Sequence, residues 1–486
     1  MDAQLKVLVV AAEAVPFTKV GGLAEFAGAL PKALRALGVD ARLMIPRYSA
    51  GTRDDGLRLS RIGRSVPVPA GSGAEAAQVF GATVGDVPVY LIYNDQHFGN
   101  RERVYGFNDD PQRFLFFSRA AIEALHALDW VPDVVHSNDW HTAPIPTWLG
   151  HYGCLDPAYS EIASLLTIHD FSRQGEAGRL LLNYGCMQDL PHLSAECPGK
   201  VNWIAQGITH ADVVNTTSPA YARAVLESGS GEIGALQGLL ASKQDRFYGI
   251  LSGIDTTTWN PASDVALTQT FDTESLALRA VNKTALQREL HLPAEAHVPL
   301  VGLVSRLDPA KGLDVFLAAL DQQLASTDCQ LVVLGSGDQN LAEEFQALQA
   351  RHSRRVRAVV RFDDRLARRI FAGADIFTMP SRPEAVSVAL MTAMHYGAVP
   401  VVHDVGGASD TVLDLDQHPS RGTGFTIANS DPAALGASLD RAFAVLGNRP
   451  QWSSLQRRCM TRDFSWQSSA RAYLDLYRLA LRSRAQ

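Results

Sequence analysis

Lys19, Gly21 and Gly22 stand together in Pro16-Phe17-Thr18-Lys19-Val20-Gly21-Gly22-Leu23, directly after the apolar run Val7–Ala12. A buried strand that empties into paired glycines and then a helical pattern brings backbone N–H groups up to an anion, with the lysine ammonium alongside. That is chemistry for a phosphate or a sugar face, although a tight turn uses the same glycines. Arg306 and Lys311 form a second group, five residues apart in the loop Ser305-Arg306-Leu307-Asp308-Pro309-Ala310-Lys311-Gly312-Leu313. At that spacing both cations can reach one phosphate pair, arginine through its fork and lysine as a point charge. His169 closes the apolar run Ser164–Ile168, and Asp139 stands beside Trp140 and His141. Imidazole and carboxylate both bond hydroxyls. His136, Asp139 and His141 lack the spacing of a metal-binding helix, and no metal is expected.

These groups need elements to hold them, and the hydrophobic periodicity supplies a consistent set. Leu23, Phe26, Leu30, Leu34 and Leu37 recur at steps of three or four, giving a helix that stops at Gly38. Pro31 lies inside it and predicts a kink or a first-turn break. Strands are expected at 41–45, 87–93, 133–136, 164–169 and 211–216, with a helix over 111–128 and short β-like runs such as 65–68 within 51–85. Apolar runs separated by helix-length segments imply βαβ units and a parallel sheet, whose ligands gather at the carboxyl ends of strands. Residues 254–264 break both periodicities, and a second series follows with strands at 299–304, 331–337, 375–380 and 399–402. The reading is α/β, with two Rossmann-like doubly wound domains facing across a cleft.

Composition narrows the class. The 486 residues are 46% hydrophobic and 20% charged, enough for two full cores. A net charge of −7 offers no footprint for nucleic acid or for an anionic membrane. Five scattered cysteines with no C-x-x-C pair suit a reduced, cytoplasmic setting. The N-terminal apolar run is bounded at once by Glu13 and Pro16, unlike a signal peptide, and no run reaches the ~18 apolar residues that span a bilayer. The segment Arg351–Arg369 carries eight arginines and reads as a solvated helix with charged flanks.

Taken together, the motifs resemble one family. Lys19-Val20-Gly21-Gly22-Leu23, Asn138-Asp139-Trp140-His141, Thr167-Ile168-His169, Leu251–Asp255 with Trp259-Asn260-Pro261, Ser305-Arg306-Leu307 with Lys311-Gly312-Leu313, Pro380-Ser381-Arg382 with Glu384, Gly406-Gly407 with Asp410-Thr411-Val412, and Phe464-Ser465-Trp466 follow one another in order over nearly the whole chain. This series is similar to that of the bacterial glycogen and starch synthases, retaining glucosyltransferases of the two-domain GT-B type.

The resemblance implies transfer of glucose from a nucleotide diphosphate sugar, ADP-glucose before UDP-glucose, to the non-reducing end of an α-1,4-glucan or maltooligosaccharide. It implies Arg306 and Lys311 on the donor phosphates, with Lys19, Gly21, Gly22 and Glu25 closing from the other domain. His169, Asp139 and Glu384 would lie at the sugar, and Ser387 and Val388 at the nucleotide phosphates. Neither a nucleophilic side chain nor a metal cofactor is implied; the departing phosphate takes the acceptor's proton. The expected domains are residues 1–256 for the acceptor side, 257–463 for the nucleotide sugar, and 464–486 as a helix packing back on the first domain. Candidates for stacking on a glucan are aromatic residues such as Tyr93, Phe98, Tyr105 or Trp140, with core packing the default for all four.

The departures from the family pattern are local. Ser381-Arg382-Pro383-Glu384-Ala385-Val386-Ser387-Val388 replaces S-R-x-E-P-C-G-L, Glu25 stands where aspartate is common, and Asp170 where asparagine is frequent. They leave open a related transferase with a small acceptor, or a weakly active glucan-binding paralogue.

Overall fold

The chain divides into two units, Met1–Gly253 with Trp466–Gln486, and Ile254–Ser465, and among the described residues each holds one large sheet. The computed structural model describes residues 4–49, 57–152, 157–187, 199–227, 233–382 and 387–485. Glu384 and its neighbours at 383–386 lie outside the described residues.

In the first unit the strands are β1 (Lys6–Val10), β2 (Asp40–Pro46), β3 (Ser60–Ala70), β4 (Gly73–Val84), β5 (Val87–Tyr93), β6 (Val134–Asn138), β7 (Ala163–Ile168), β8 (Glu176–Gly178), β9 (Lys200–Asn202), β10 (Val213–Thr216) and β11 (Phe247–Gly249). Among the described residues the main sheet runs β11-β10-β7-β6-β1-β2-β5-β4-β3. It is parallel from β11 to β5 and antiparallel through β4 and β3. Val7 to Ala12 are buried, as a strand covered on both faces requires. The chain reverses its direction of travel across the sheet at β1, so the loops leaving β1 and β6 part there and open a crevice at the carboxyl ends. Lys19, Asp139 and His169 follow β1, β6 and β7, three adjacent strands.

The second unit repeats the plan with β12 (Leu300–Val304), β13 (Gln330–Gly335), β14 (Val356–Val360), β15 (Ile376–Met379), β16 (Val399–His403) and β17 (Phe425–Ile427), in the order β14-β13-β12-β15-β16-β17. All its pairings are parallel. Here the reversal falls at β12, whose following loop holds Arg306 and Lys311.

Three expectations are corrected. The short β-like runs are one long antiparallel hairpin, β3 and β4, whose register shifts between Ile62 and Val66. The arginine-rich segment is not a single helix: it contains β14 and the start of the helix Asp364–Gly373, and several arginines bind backbone or acids. Arg357 donates to the carbonyls of Leu290 and His291, while Arg368 covers the Trp259 ring and bonds Asp264 at 3.0 Å. Finally, Pro31 does not break its helix, which runs without interruption from Gly22 to Ala36; the buried proline is one of eight buried residues on that helix, whose packing offsets the lost backbone bond.

The helix Trp466–Arg484 packs against the helix Gly22–Ala36 and β7 of the first unit. Its buried Tyr477 donates to His136 Nδ1 at 2.9 Å, and Tyr473 accepts from Asn215 Nδ2 at 3.0 Å. His136 Nε2 reaches Thr167 at 2.6 Å, so both ring nitrogens of this buried histidine serve the fold. Gly253 makes the docking possible: a Cβ there would lie 2.7 Å from the backbone N and Cα of Trp466. Gly253→Ala is therefore expected to displace the start of this helix and lower stability by about 1–3 kcal/mol, read as a lower urea midpoint. An unchanged midpoint would remove the close approach as a constraint.

Candidate functional site

The loop after β1 is tied to the protein by its own carboxylate. Buried Glu13 accepts from Val20 N and, at 3.2 Å, from Gly21 N. Burial raises its carboxyl pKa, opposed by those two amides, Tyr105 and the Lys19 charge. Two of the amides expected to meet an external anion thus already hold an internal one. Open space lies beside Gly22, the first residue of its helix. Lys19 is half-exposed and pairs with Glu25 at 2.5 Å, which holds its ammonium next to the loop.

Behind this loop the two sugar-reading candidates meet. His169 N donates to Asp139 Oδ1 at 2.7 Å, and His169 Nε2 lies 3.0 Å from Asn138 Oδ1. Phe26, four residues into the helix that begins at Gly22, sets its ring edge-on to His169 with centroids 4.5 Å apart. Asp139 adopts φ 55°, an uncommon left-handed conformation for a residue with a side chain, and it turns the chain from β6 into the segment Asp139–Thr142. Burial lowers the pKa of His169 to about 3, so its imidazole is neutral at physiological pH.

Burial also raises Asp139 to about 7; the charges of Asp170 and Glu13 add to that, and the amides of His169 and Asp170 oppose it. The sign follows. Between about pH 4 and the folded pKa the native protein keeps a proton that the unfolded chain has released, so stability falls as pH rises through that window. Asp139→Asn removes the dependence. Its melting temperature should gain on that of the native protein between about pH 5 and pH 8, and parallel curves would show that Asp139 does not titrate there.

In the second unit, Arg306 and Lys311 share the loop after β12. Arg306 is exposed, with Asp308 Oδ2 at 3.3 Å from its guanidinium. Asp308 caps the single turn Pro309–Lys311 through Ala310 N at 3.0 Å. The loop after β13 braces it, because Leu307 N donates to Ser336 O at 2.9 Å and Asp338 N to Leu307 O at 2.7 Å. From the loop after β15, Arg382 N donates to Ala310 O at 3.0 Å and its guanidinium to Asp314 at 2.8 Å. Ser387 caps the helix Val388–His395, its hydroxyl accepting from Leu390 N at 3.2 Å, so serine keeps a well-formed helix start where the family pattern has glycine. Val388 opens that helix.

Within the first unit the structure gathers Lys19, Gly21, Gly22, Glu25, Asp139 and His169 at neighbouring strand ends; within the second it gathers Arg306, Lys311 and Ser387 likewise. Phe98 is core rather than a sugar contact, packed among the rings of Tyr48, Phe114, Phe116 and Phe117. Two residues escaped the sequence reading. Glu13 directly follows six buried apolar residues, a position where a charge needs a purpose. Phe362 stands just beyond β14 with 78% exposure, and a lone aromatic between Arg361 and Asp363 was its signal.

Doubly wound units with cations and hydroxyl-binding groups at their strand ends are the architecture of nucleotide-sugar glycosyltransferases, and the comparisons agree. Residues 6–242 match the starch synthase catalytic domain family, and residues 298–444 match glycosyl transferases group 1. The chain is 38% identical to glycogen synthase 2 of Geobacter sulfurreducens, over 99% of its own length and 100% of that protein. It is 40% identical to the glycogen synthase of Moorella thermoacetica, over 100% and 98%. The catalytic domain of starch synthase IV from Arabidopsis thaliana, solved with ADP and acarbose, superposes over 100% of both chains with a TM-score of 0.90 at 32% identity. A sucrose-phosphate synthase from Thermosynechococcus elongatus shares the fold at a TM-score of 0.61 and 18% identity, over 98% of both. The chain belongs to the glycogen and starch synthase family and is a glycosyltransferase. Among the described residues no helix is long and apolar enough to cross a membrane.

Proposed function

We propose that this protein transfers glucose from ADP-glucose to the non-reducing end of an α-1,4-glucan with retention of anomeric configuration. The observation that carries this reading is full-length similarity to glycogen synthases, together with Arg306 and Lys311 on one braced strand-end loop. The leaving ADP gains negative charge as the glycosidic bond breaks, and two cations held in place in advance stabilise that charge most in the transition state. In this reading they do the work that a metal does elsewhere, and none is needed. Lys19 adds a third cation. The exposed Phe362 ring, at the carboxyl end of β14, offers a face for the adenine. Neutral His169 and the Asp139 carboxyl meet sugar hydroxyls, and Glu384 supplies negative charge beside the electron-poor ring. No side chain is assigned as nucleophile; the acceptor hydroxyl attacks on the face the phosphate leaves, and that phosphate takes the proton.

Incubation with labelled ADP-glucose or UDP-glucose, with and without glycogen or maltooligosaccharide, tests the reading. Glucan-dependent incorporation from ADP-glucose supports it. Transfer only to a small acceptor, or glucan binding without transfer, overturns it.

A further inference from the structure

Asn138 is fully buried at the end of β6 and is held on all sides. Its side-chain Nδ2 faces two backbone carbonyls, Val10 O at 3.1 Å and His136 O at 3.3 Å. Carbonyl oxygens only accept, so the NH2 group must point at them and Oδ1 must point the other way, toward His169 Nε2 at 3.0 Å. An amide oxygen cannot donate, which leaves the imidazole to supply the proton. The assignment therefore comes from the bonding pattern around the amide. The main chain of Asn138 is fixed as well, its N–H donating to Thr142 Oγ1 at 2.6 Å and its carbonyl accepting from that hydroxyl at 2.8 Å. On the other side the edge-on Phe26 ring restrains the imidazole, and Asp139 fixes the main chain of His169 by accepting from its N–H.

We propose that Asn138 is a positioning residue: its amide holds His169 as the Nε2–H tautomer, so that Nδ1 presents a lone pair to a hydroxyl of the donor sugar. Among the described residues nothing takes that lone pair. The proposal rests on the reading of His169 as a sugar contact and refines it, because the histidine then accepts a hydrogen bond from the hydroxyl and donates none through Nδ1. Acceptance favours a hydroxyl over a ring oxygen or a phosphate oxygen, neither of which has a proton to give. The burial that keeps the ring neutral at physiological pH preserves the lone pair.

Long-range nitrogen–proton spectra of the full-length protein labelled in histidine, with the His169 signals identified by their absence in His169→Gln, read the tautomer directly. The expected result is a pyrrole-type Nε2 and a pyridine-type Nδ1 that do not titrate from about pH 6 to pH 8, with Nδ1 moving upfield when ADP-glucose saturates the protein. A protonated Nδ1 in the free protein overturns the proposal, as does an Nδ1 unmoved by donor in a preparation that turns donor over.

Asn138→Asp places a charge beside the ring and raises its pKa. The donor KM should then rise about tenfold at about pH 6 and recover toward pH 8, with the glucan KM unchanged. Equal donor KM values at both pH values would overturn the proposal. If that variant does not fold, the spectrum of the native protein decides. Failure of the proposed activity itself is read separately, as absence of glucan-dependent transfer by the native protein.

Discussion

Lys311→Ala is expected to slow glucosyl transfer by about 100- to 1000-fold while leaving thermal unfolding in place. The loop has supports that the substitution leaves in place: Asp308 caps the turn, Leu307 bonds Ser336 and Asp338 through the backbone, and Arg382 N donates to Ala310 O. What the substitution removes is a positive charge held at the carboxyl end of β12, where the proposed function puts the departing diphosphate. An interaction that strengthens only as that charge develops lowers the barrier without tightening the ground state, so kcat should fall far more than the donor KM rises. Initial rates with ADP-glucose and glycogen, beside a thermal melt, measure both. Full activity would remove Lys311 from the phosphate site.

Gly312→Ala should be about as damaging to transfer and should also destabilise the fold. Gly312 adopts φ 63°, and an added Cβ would lie 2.1 Å from the carbonyl oxygen of Pro380. Both effects act together: the backbone is left-handed and the space is filled by a carbonyl that cannot retreat without moving the loop after β15. Forcing the two loops apart breaks the bond from Arg382 to Ala310 and shifts Lys311, and a displacement of about 1 Å at a reacting group costs on the order of 100-fold. Strain and overpacking of this kind lower stability by about 1–3 kcal/mol. The pair of variants separates charge from shape: both lose activity, but only the glycine variant should lose urea resistance. A glycine variant with native activity and midpoint would show that the loops part freely.

The strands were legible because each buried parallel strand is a short apolar run ended by a polar loop, as at Val87–Tyr93 and Leu300–Val304. Arg306 and Lys311 were legible as a pair for a local reason: five residues of one loop keep them on the same strand end. The hairpin of β3 and β4 was hidden because many of its residues face solvent and its apolar pattern is broken by glycine, serine and proline. Strand β14 was hidden by its arginines, which look like a helical solvent face until the partners of Arg357 are known.

By itself the sequence determined two α/β units, the strand-end loops that carry Lys19, Asp139, His169, Arg306 and Lys311, and a helix with an apolar face within 464–486, since all of these follow from periodicity and residue type along the chain. The tertiary structure decided what each group bonds. That the amides of Val20 and Gly21 belong to Glu13 depends on how one loop folds back on itself, while the grip of Phe26 and Asn138 on His169 and the opposite shifts of Asp139 and His169 on the pH scale depend on residues far apart in sequence. Desolvation and hydrogen-bond geometry arise only when β1, β6 and β7 lie side by side, and no spacing within one segment encodes them.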